Sequence, residues 1–262
     1  MKIMLKIFQR IYFIYAFSVF LLIMLLLFLP IAIASFWGRI RGGNFVYRLT
    51  NLWADLCFPA IFVFSRKKFE SPHDPHRPFI FVVNHTSYAD AAFAPRVFRQ
   101  PLRILGKAEM TRIPIFGFIY RKVVVTVMRD SIENRARSLL IIKSLVKKKI
   151  SVLIFPEGTF NRTGKPLKDF YNGAFRIAIE TQTPIKPVLF LDTYSRIPGN
   201  LWTLNPGKCR AVFLEEIPVT GLTIDDMAEL KQKTMRIMSD KLVEYGASWI
   251  KKEEKTKTVS NE

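Results

Sequence analysis

The hydrophobic pattern divides the chain into three regimes. From Ile11 through Gly38 there is no charged residue. As one helix this stretch reaches roughly 40 Å, against a bilayer hydrocarbon core of about 30 Å. Pro30 marks where such a helix would kink or divide. The run far exceeds the roughly 7–15 apolar residues of a cleavable signal peptide, so it predicts a membrane-embedded helix. The next segment, Leu49 to Phe64, is apolar except for Thr50, Asn51 and Asp55, and it contains Pro59. Its uninterrupted run Leu56–Phe64 is too short to span and suits the membrane interface, with Trp53 as an anchor. Next comes Ser71-Pro72-His73-Asp74-Pro75-His76-Arg77-Pro78, whose three prolines predict a stiff solvated linker. A metal site on His73, His76 and Asp74 is conceivable, but no further His or Cys follows nearby to complete it.

Beyond the linker the period changes. Phe79–Val83, Val123–Met128, Ile150–Phe155 and Ile185–Leu191 have strand length and β-branched content. Between them Ile132, Ala136, Leu139, Leu140, Leu145 and Val146 recur at helical spacing, closed by Lys147–Lys149. Asn172–Thr181 reads as another helix. Thr223-Ile-Asp-Asp226 has the form of a capping box opening a helix through Met227, Leu230, Met238, Leu242, Tyr245 and Trp249. Strands alternating with helices predict an α/β domain with a mixed, largely parallel sheet flanked by helices, carrying an N-terminal membrane-embedded helical motif. The expected organisation is a membrane segment over 1–70, a Pro-rich linker over 71–78, the α/β domain over 79–250 and a charged disordered tail over 251–262. There is no internal repeat.

Composition narrows the class. Half of the 262 residues are hydrophobic and 23 are Phe, which excludes bulk disorder. The net charge of +19 calls for a polyanionic partner. Beside a membrane segment, that charge is read first as adhesion to anionic headgroups. Lys2, Lys6 and Arg10 precede the apolar stretch, while Arg39, Arg41 and Arg48 follow it, so the positive-inside rule gives a tie. A tie places both ends on one cytoplasmic face and predicts a two-helix embedded hairpin rather than a single span. Cys57 and Cys209 are far apart without metal-type spacing, which fits a reducing cytosolic location.

The candidate chemistry sits where strands end. Asn84-His85-Thr86-Ser87-Tyr88-Ala89-Asp90 follows the first apolar run, at the carboxyl edge where α/β folds place ligand sites. Two readings of Asp90 stand: a capping-box acid in the first turn of the next helix, or a partner fixing the tautomer of His85 as a general base. Phe155-Pro156-Glu157-Gly158-Thr159 follows another run. It is either an ordinary turn or, through the N–H groups of Gly158 and Thr159 with Arg162 and Lys165 behind, an anion-binding nest. Glu157, ionised among basic groups, would orient an arginine or a substrate hydroxyl. Arg129 ends a third apolar run at the same expected edge; its alternative is a surface pair with Asp130 or Glu133.

In order and spacing these elements resemble the membrane-bound glycerolipid acyltransferases that include 1-acylglycerol-3-phosphate acyltransferase. Asn84-His85 with Asp90 resemble that family's His-four-residues-Asp motif, and Gly117 through Arg129 its second block. Phe155–Thr159 resemble its Phe-Pro-Glu-Gly-Thr block and Pro184-Ile185-Lys186-Pro187 its last, preceded by a similar Phe170–Phe175 segment. The resemblance covers Phe79–Val188. It implies that His85, held by Asp90, deprotonates the hydroxyl of a lysolipid for direct attack on the thioester of acyl-CoA or an acidic acyl-carrier protein, with no metal or other cofactor. It also implies that Arg129, Glu157, Gly158, Thr159 and Arg162 hold the acceptor's phosphate. Three departures fall on the expected acceptor side: Phe160-Asn161 where a basic residue is common, Met128 before Arg129, and Lys186 between the two prolines. Lysophosphatidate is the default acceptor, with another lysophospholipid or a lyso-amino-acid lipid as the alternative. A non-catalytic membrane-tethered binder is the rival from another class. Nucleic acid is not expected as a partner, because base-stacking strand motifs are absent. A hydrolase would lack a Gly-x-Ser-x-Gly elbow.

Overall fold

The computed structural model describes residues 2–127, 132–199 and 203–251. In chain order the elements are α1 (Lys2–Ala34), a 3₁₀ turn (Ser35–Trp37) and a π-helical turn (Gly38–Gly42), α2 (Gly43–Ala60), β1 (Val63–Phe69), β2 (Ile80–Val83), α3 (Ala89–Val97) and β3 (Leu102–Lys107). There follow α4 (Phe116–Val123), β4 (Val124–Val127), α5 (Ile132–Lys147), β5 (Ser151–Ile154), α6 (Gly173–Thr181), β6 (Ile185–Phe190), α7 (Thr193–Arg196), β7 (Gly207–Phe213) and α8 (Met227–Glu244). The seven strands make one sheet in the order β1-β7-β6-β2-β5-β3-β4. Only the β6–β7 pairing is antiparallel, so β6, β2, β5, β3 and β4 point one way and end on one edge.

The sheet is covered on both faces, which explains why its central strands read as unbroken apolar runs. Phe79, Phe81 and Val83 face a core shared with α1, α2 and α3, while Ile80 and Val82 face a core built with α5, α6 and α8. The capping box predicted at Thr223 and Asp226 is present, and α8 follows it but ends at Glu244, short of Trp249.

α1 and α2 pack side by side in opposite directions. Phe20 meets Trp53 edge-on at 4.9 Å, and the Tyr12 hydroxyl donates to the Ile61 carbonyl. α1 passes unbroken through Pro30 to Ala34. One face of α1 is buried through Tyr12, Ala16, Met24 and Ile31. Its other face leaves Ile7, Ile11, Ile14, Leu22, Leu25, Leu29 and Ile33 exposed. The helical stretch Ile7–Ala60 contains a window with a mean hydropathy of 2.9, apolar enough to cross a membrane. Asp55, the one carboxylate on α2, pairs with Arg96 and Arg99 and so ties the helical hairpin to α3.

Two expectations need correction here. Residues 63–69, assigned to the membrane segment, form β1 and pair with β7 in register. As an edge strand carrying Arg66, Lys67 and Lys68, β1 shows no alternation that would announce it. The Pro-rich segment is not fully solvated either. His73 stacks against Phe69 at 5.7 Å and lies 5.3 Å from Phe213, with its Nε2 2.7 Å from Gln100 Oε1. Lys186 explains the anchoring: its side chain is fully buried, and its Nζ donates to Ser71 Oγ at 2.8 Å. Lys186 lies near the start of β6, away from the edge where His85 sits, and not beside the residues expected to hold the acceptor. The tail beyond Lys251 lies outside the described residues.

Asn84 continues the sheet beyond β2. Its side chain donates to the Phe190 carbonyl at 3.0 Å and accepts the Phe190 N–H at 2.8 Å, all fully buried. We expect Asn84→Ala to leave both backbone groups unpaired, costing about 2 kcal/mol or more and lowering the melting temperature by roughly 4 °C or more. Thermal unfolding in detergent checks this.

Candidate active site

The loop from β2 into α3 carries His85, and its shape is set by Asp90. Asp90 Oδ2 accepts the N–H groups of Thr86 at 2.7 Å and Ser87 at 2.9 Å, and lies 2.8 Å from His85 Nδ1. The carboxylate is fully buried. One oxygen of Asp90 therefore both organises the turn into α3 and faces the imidazole. An oxygen that already accepts two N–H groups acts as an acceptor toward the ring as well, which places a proton on Nδ1 and points Nε2 away from the carboxylate. Ser87 fastens the loop from the other side, with its hydroxyl donating to the Ile197 carbonyl at 2.9 Å and accepting the Ala89 N–H.

The loop after β5 holds the same histidine by its backbone. Glu157 Oε1 accepts the His85 N–H at 2.7 Å, and the Asn161 N–H donates to the His85 carbonyl at 2.7 Å. The imidazole stacks on Phe155 at 4.1 Å and meets Phe160 edge-on at 4.5 Å; Tyr88 packs against Phe160 in turn. Backbone and ring of His85 are thus both fixed, and the histidine side chain keeps 18% of its surface open. Asn161 also builds the next turn, accepting from Thr163 and donating to the Lys165 carbonyl at 2.9 Å. The Phe160-Asn161 departure therefore has a place in the site: these two residues seat the histidine.

Glu157 does not occupy the substrate-facing position expected of it. It is 1% exposed, and its second oxygen accepts the Lys168 N–H at 2.9 Å. Burial pushes its carboxyl up to about 7, against the lowering effect of the two backbone N–H groups. The N–H of Gly158, expected in an anion-binding nest, is spent inside its own turn. Gly158 takes a left-handed φ of 69° to make the turn, and its N–H closes that turn on the Phe155 carbonyl at 3.1 Å. Thr159 is exposed and accepts from Lys168 Nζ at 2.6 Å. Arg162 is exposed, with its guanidinium 6.0 Å from the Phe160 ring and donating to the Gly199 carbonyl at 3.1 Å. Arg129 lies outside the described residues.

The sheet edge adds groups that the sequence did not single out. Lys107 ends β3 beside Val127 of β4, exposed on the edge where β2 and β5 also end. Lys168 arrives through its bond to Glu157. Neither follows a long apolar run, which is why strand-end logic passed them over. Asn161-x-Thr163-Gly164 did carry a turn signature.

The Acyltransferase family model matches residues 65–191 of this chain. A 1-acyl-sn-glycerol-3-phosphate acyltransferase of Salmonella typhimurium is 32% identical over 169 residues, covering 63% of this chain and 67% of its own. An uncharacterized acyltransferase of Schizosaccharomyces pombe is 31% identical over 178 residues, covering 64% of this chain and 62% of that protein. The crystal structure of the 1-acyl-sn-glycerophosphate (LPA) acyltransferase, PlsC, from Thermotoga maritima superposes with a TM-score of 0.73 at 25% identity. That likeness covers 96% of this chain and all of the other, too much to leave out the helical hairpin.

The carboxyl of Glu157 holds its proton more tightly in the fold than in the unfolded chain. Its contribution to stability is therefore complete below about 4.5 and lost as the pH rises through about 7. We expect the difference in melting temperature between wild type and Glu157→Gln to fall across that window and then level off. A difference independent of pH in scanning fluorimetry contradicts this.

Proposed function

The chain belongs to the membrane-bound glycerolipid acyltransferase family of the 1-acylglycerol-3-phosphate acyltransferases and is an O-acyltransferase, and from that premise we propose that it acylates the free hydroxyl of lysophosphatidate to give phosphatidic acid. The observation that carries the mechanism is the 2.8 Å contact between His85 Nδ1 and the buried Asp90. With Nδ1 protonated, Nε2 takes the hydroxyl proton of the acceptor as its oxygen attacks the thioester carbonyl. The tetrahedral intermediate then expels the thiolate, which recovers a proton. A thioester is already activated, so positioning and base catalysis suffice, with no acyl-enzyme, metal or other cofactor in the scheme.

Acyl-CoA or an acidic acyl-carrier protein is the donor, and the positive net charge suits either. Arg129, Thr159 and Arg162, together with Lys107, are the groups to which the acceptor's phosphate is assigned. Glu157 and Gly158 serve the site by shaping it. The name of the Salmonella typhimurium relative supports this choice of acceptor.

The helical hairpin sets the working surface. Its exposed apolar stripe, opposite a face packed on the catalytic domain, supports a hairpin embedded from one side, with the domain on the cytoplasmic face. Nucleic acid has no role in this scheme.

Two measurements test these assignments. Purified protein in detergent, given labelled acyl-CoA or acyl-carrier protein and lysophosphatidate, is expected to transfer the acyl group; His85→Ala should lower the rate at least about a hundredfold. Undiminished transfer in the variant removes His85 from its role. For the hairpin, a cysteine engineered near position 2 should resist a membrane-impermeant reagent applied from outside. Strong labelling there excludes it.

A further inference from the structure

Lys168 belongs to none of the family-like blocks, yet the fold carries it to the base. Its backbone N–H donates to Glu157 Oε2 at 2.9 Å, and the other oxygen of that carboxylate accepts the His85 N–H at 2.7 Å. The chain at the base and the chain at Lys168 are therefore one carboxylate apart. The Lys168 ammonium donates to Thr159 Oγ1 at 2.6 Å. Thr159 adjoins Phe160, whose ring stands 4.5 Å from the imidazole.

The ammonium of Lys168 hydrogen-bonds one neutral hydroxyl, and the Glu157 carboxylate that attracts it is taken up by two backbone N–H groups. An ammonium carries three donors, so two remain for an anion. Arg162, one of the two arginines that the sequence assigned to this task, donates to the Gly199 carbonyl. Glu157 is buried too deeply to repel a phosphate at the surface of the site.

We propose that Lys168 binds the anionic headgroup of the acceptor, with Glu157 as the positioning residue that fixes it against His85. The assignment rests on the acyl-transfer reading and names a group that reading lacks. The Glu157 carboxylate fixes the backbone of Lys168 against that of His85, and Thr159 Oγ1 tethers the ammonium beside the ring that packs on the imidazole, a placement that suits an acceptor whose hydroxyl and phosphate sit on neighbouring carbons. An acceptor without the phosphate reaches the base but gains nothing from Lys168.

The test compares wild type, Lys168→Met and Lys168→Arg in detergent. It measures equilibrium binding of lysophosphatidate and of uncharged 1-monoacylglycerol, and KM and kcat for lysophosphatidate with acyl-CoA. Lys168→Met should raise KM at least about tenfold, the scale of one lost charged hydrogen bond. It should lower kcat far less, and erase the preference for the charged ligand. Lys168→Arg should restore most of that preference. An unchanged KM and preference in Lys168→Met overturns the assignment and leaves acyl transfer standing. An equal loss of both ligands, unrescued by arginine, marks a collapsed loop and also overturns it. If wild type binds lysophosphatidate through Lys168 but transfers no acyl group, the anion site stands and the acyl-transfer reading falls.

Discussion

The site depends on one oxygen atom. Asp90 Oδ2 draws two backbone N–H groups and the imidazole of His85 onto a single buried point. A buried carboxylate is costly unless such partners surround it. The same contacts that keep it in place also dictate the path of the loop and the tautomer of the ring. Remove the carboxylate and the turn into α3, the orientation of the histidine and the free Nε2 are lost together. That coupling is why the four residues between His85 and Asp90 matter chemically: they are the length of chain needed to fold back onto one acceptor.

A second buried carboxylate completes the frame from the opposite loop. Glu157 reaches across from the end of β5 to the backbone of His85 and on to that of Lys168. Both loops leave parallel neighbouring strands at one edge, so the bridge is short and its geometry is inherited from the sheet. The aromatic rings of Phe155 and Phe160 then bracket the imidazole. The precision of this arrangement comes from preorganisation by the scaffold.

Central strands and long helices were legible because burial on both faces, or an apolar stripe, leaves a run in the sequence. Phe79–Val83 and Ile150–Phe155 were visible for that reason. β1, β3 and β7 were not: β1 is a charged edge, Arg103 interrupts β3 and Arg210 interrupts β7. The histidine and its acid were legible as a spacing. The direction of Glu157 was not, since a sequence shows a carboxylate beside basic residues but not that it turns inward to backbone N–H groups. Lys186 misled for a similar reason. Its place in a motif suggested the acceptor, whereas the strand carries it to the far end to anchor Ser71.

The central claim is that Asp90 holds His85 with its proton on Nδ1 and Nε2 free. With three histidines in the chain, nitrogen-15 NMR of ring-labelled protein resolves the question, and a His85 substitution assigns its signals. At a pH where the ring is neutral, a protonated Nδ1 and a bare Nε2 are expected for His85. A proton found on Nε2 instead would contradict it.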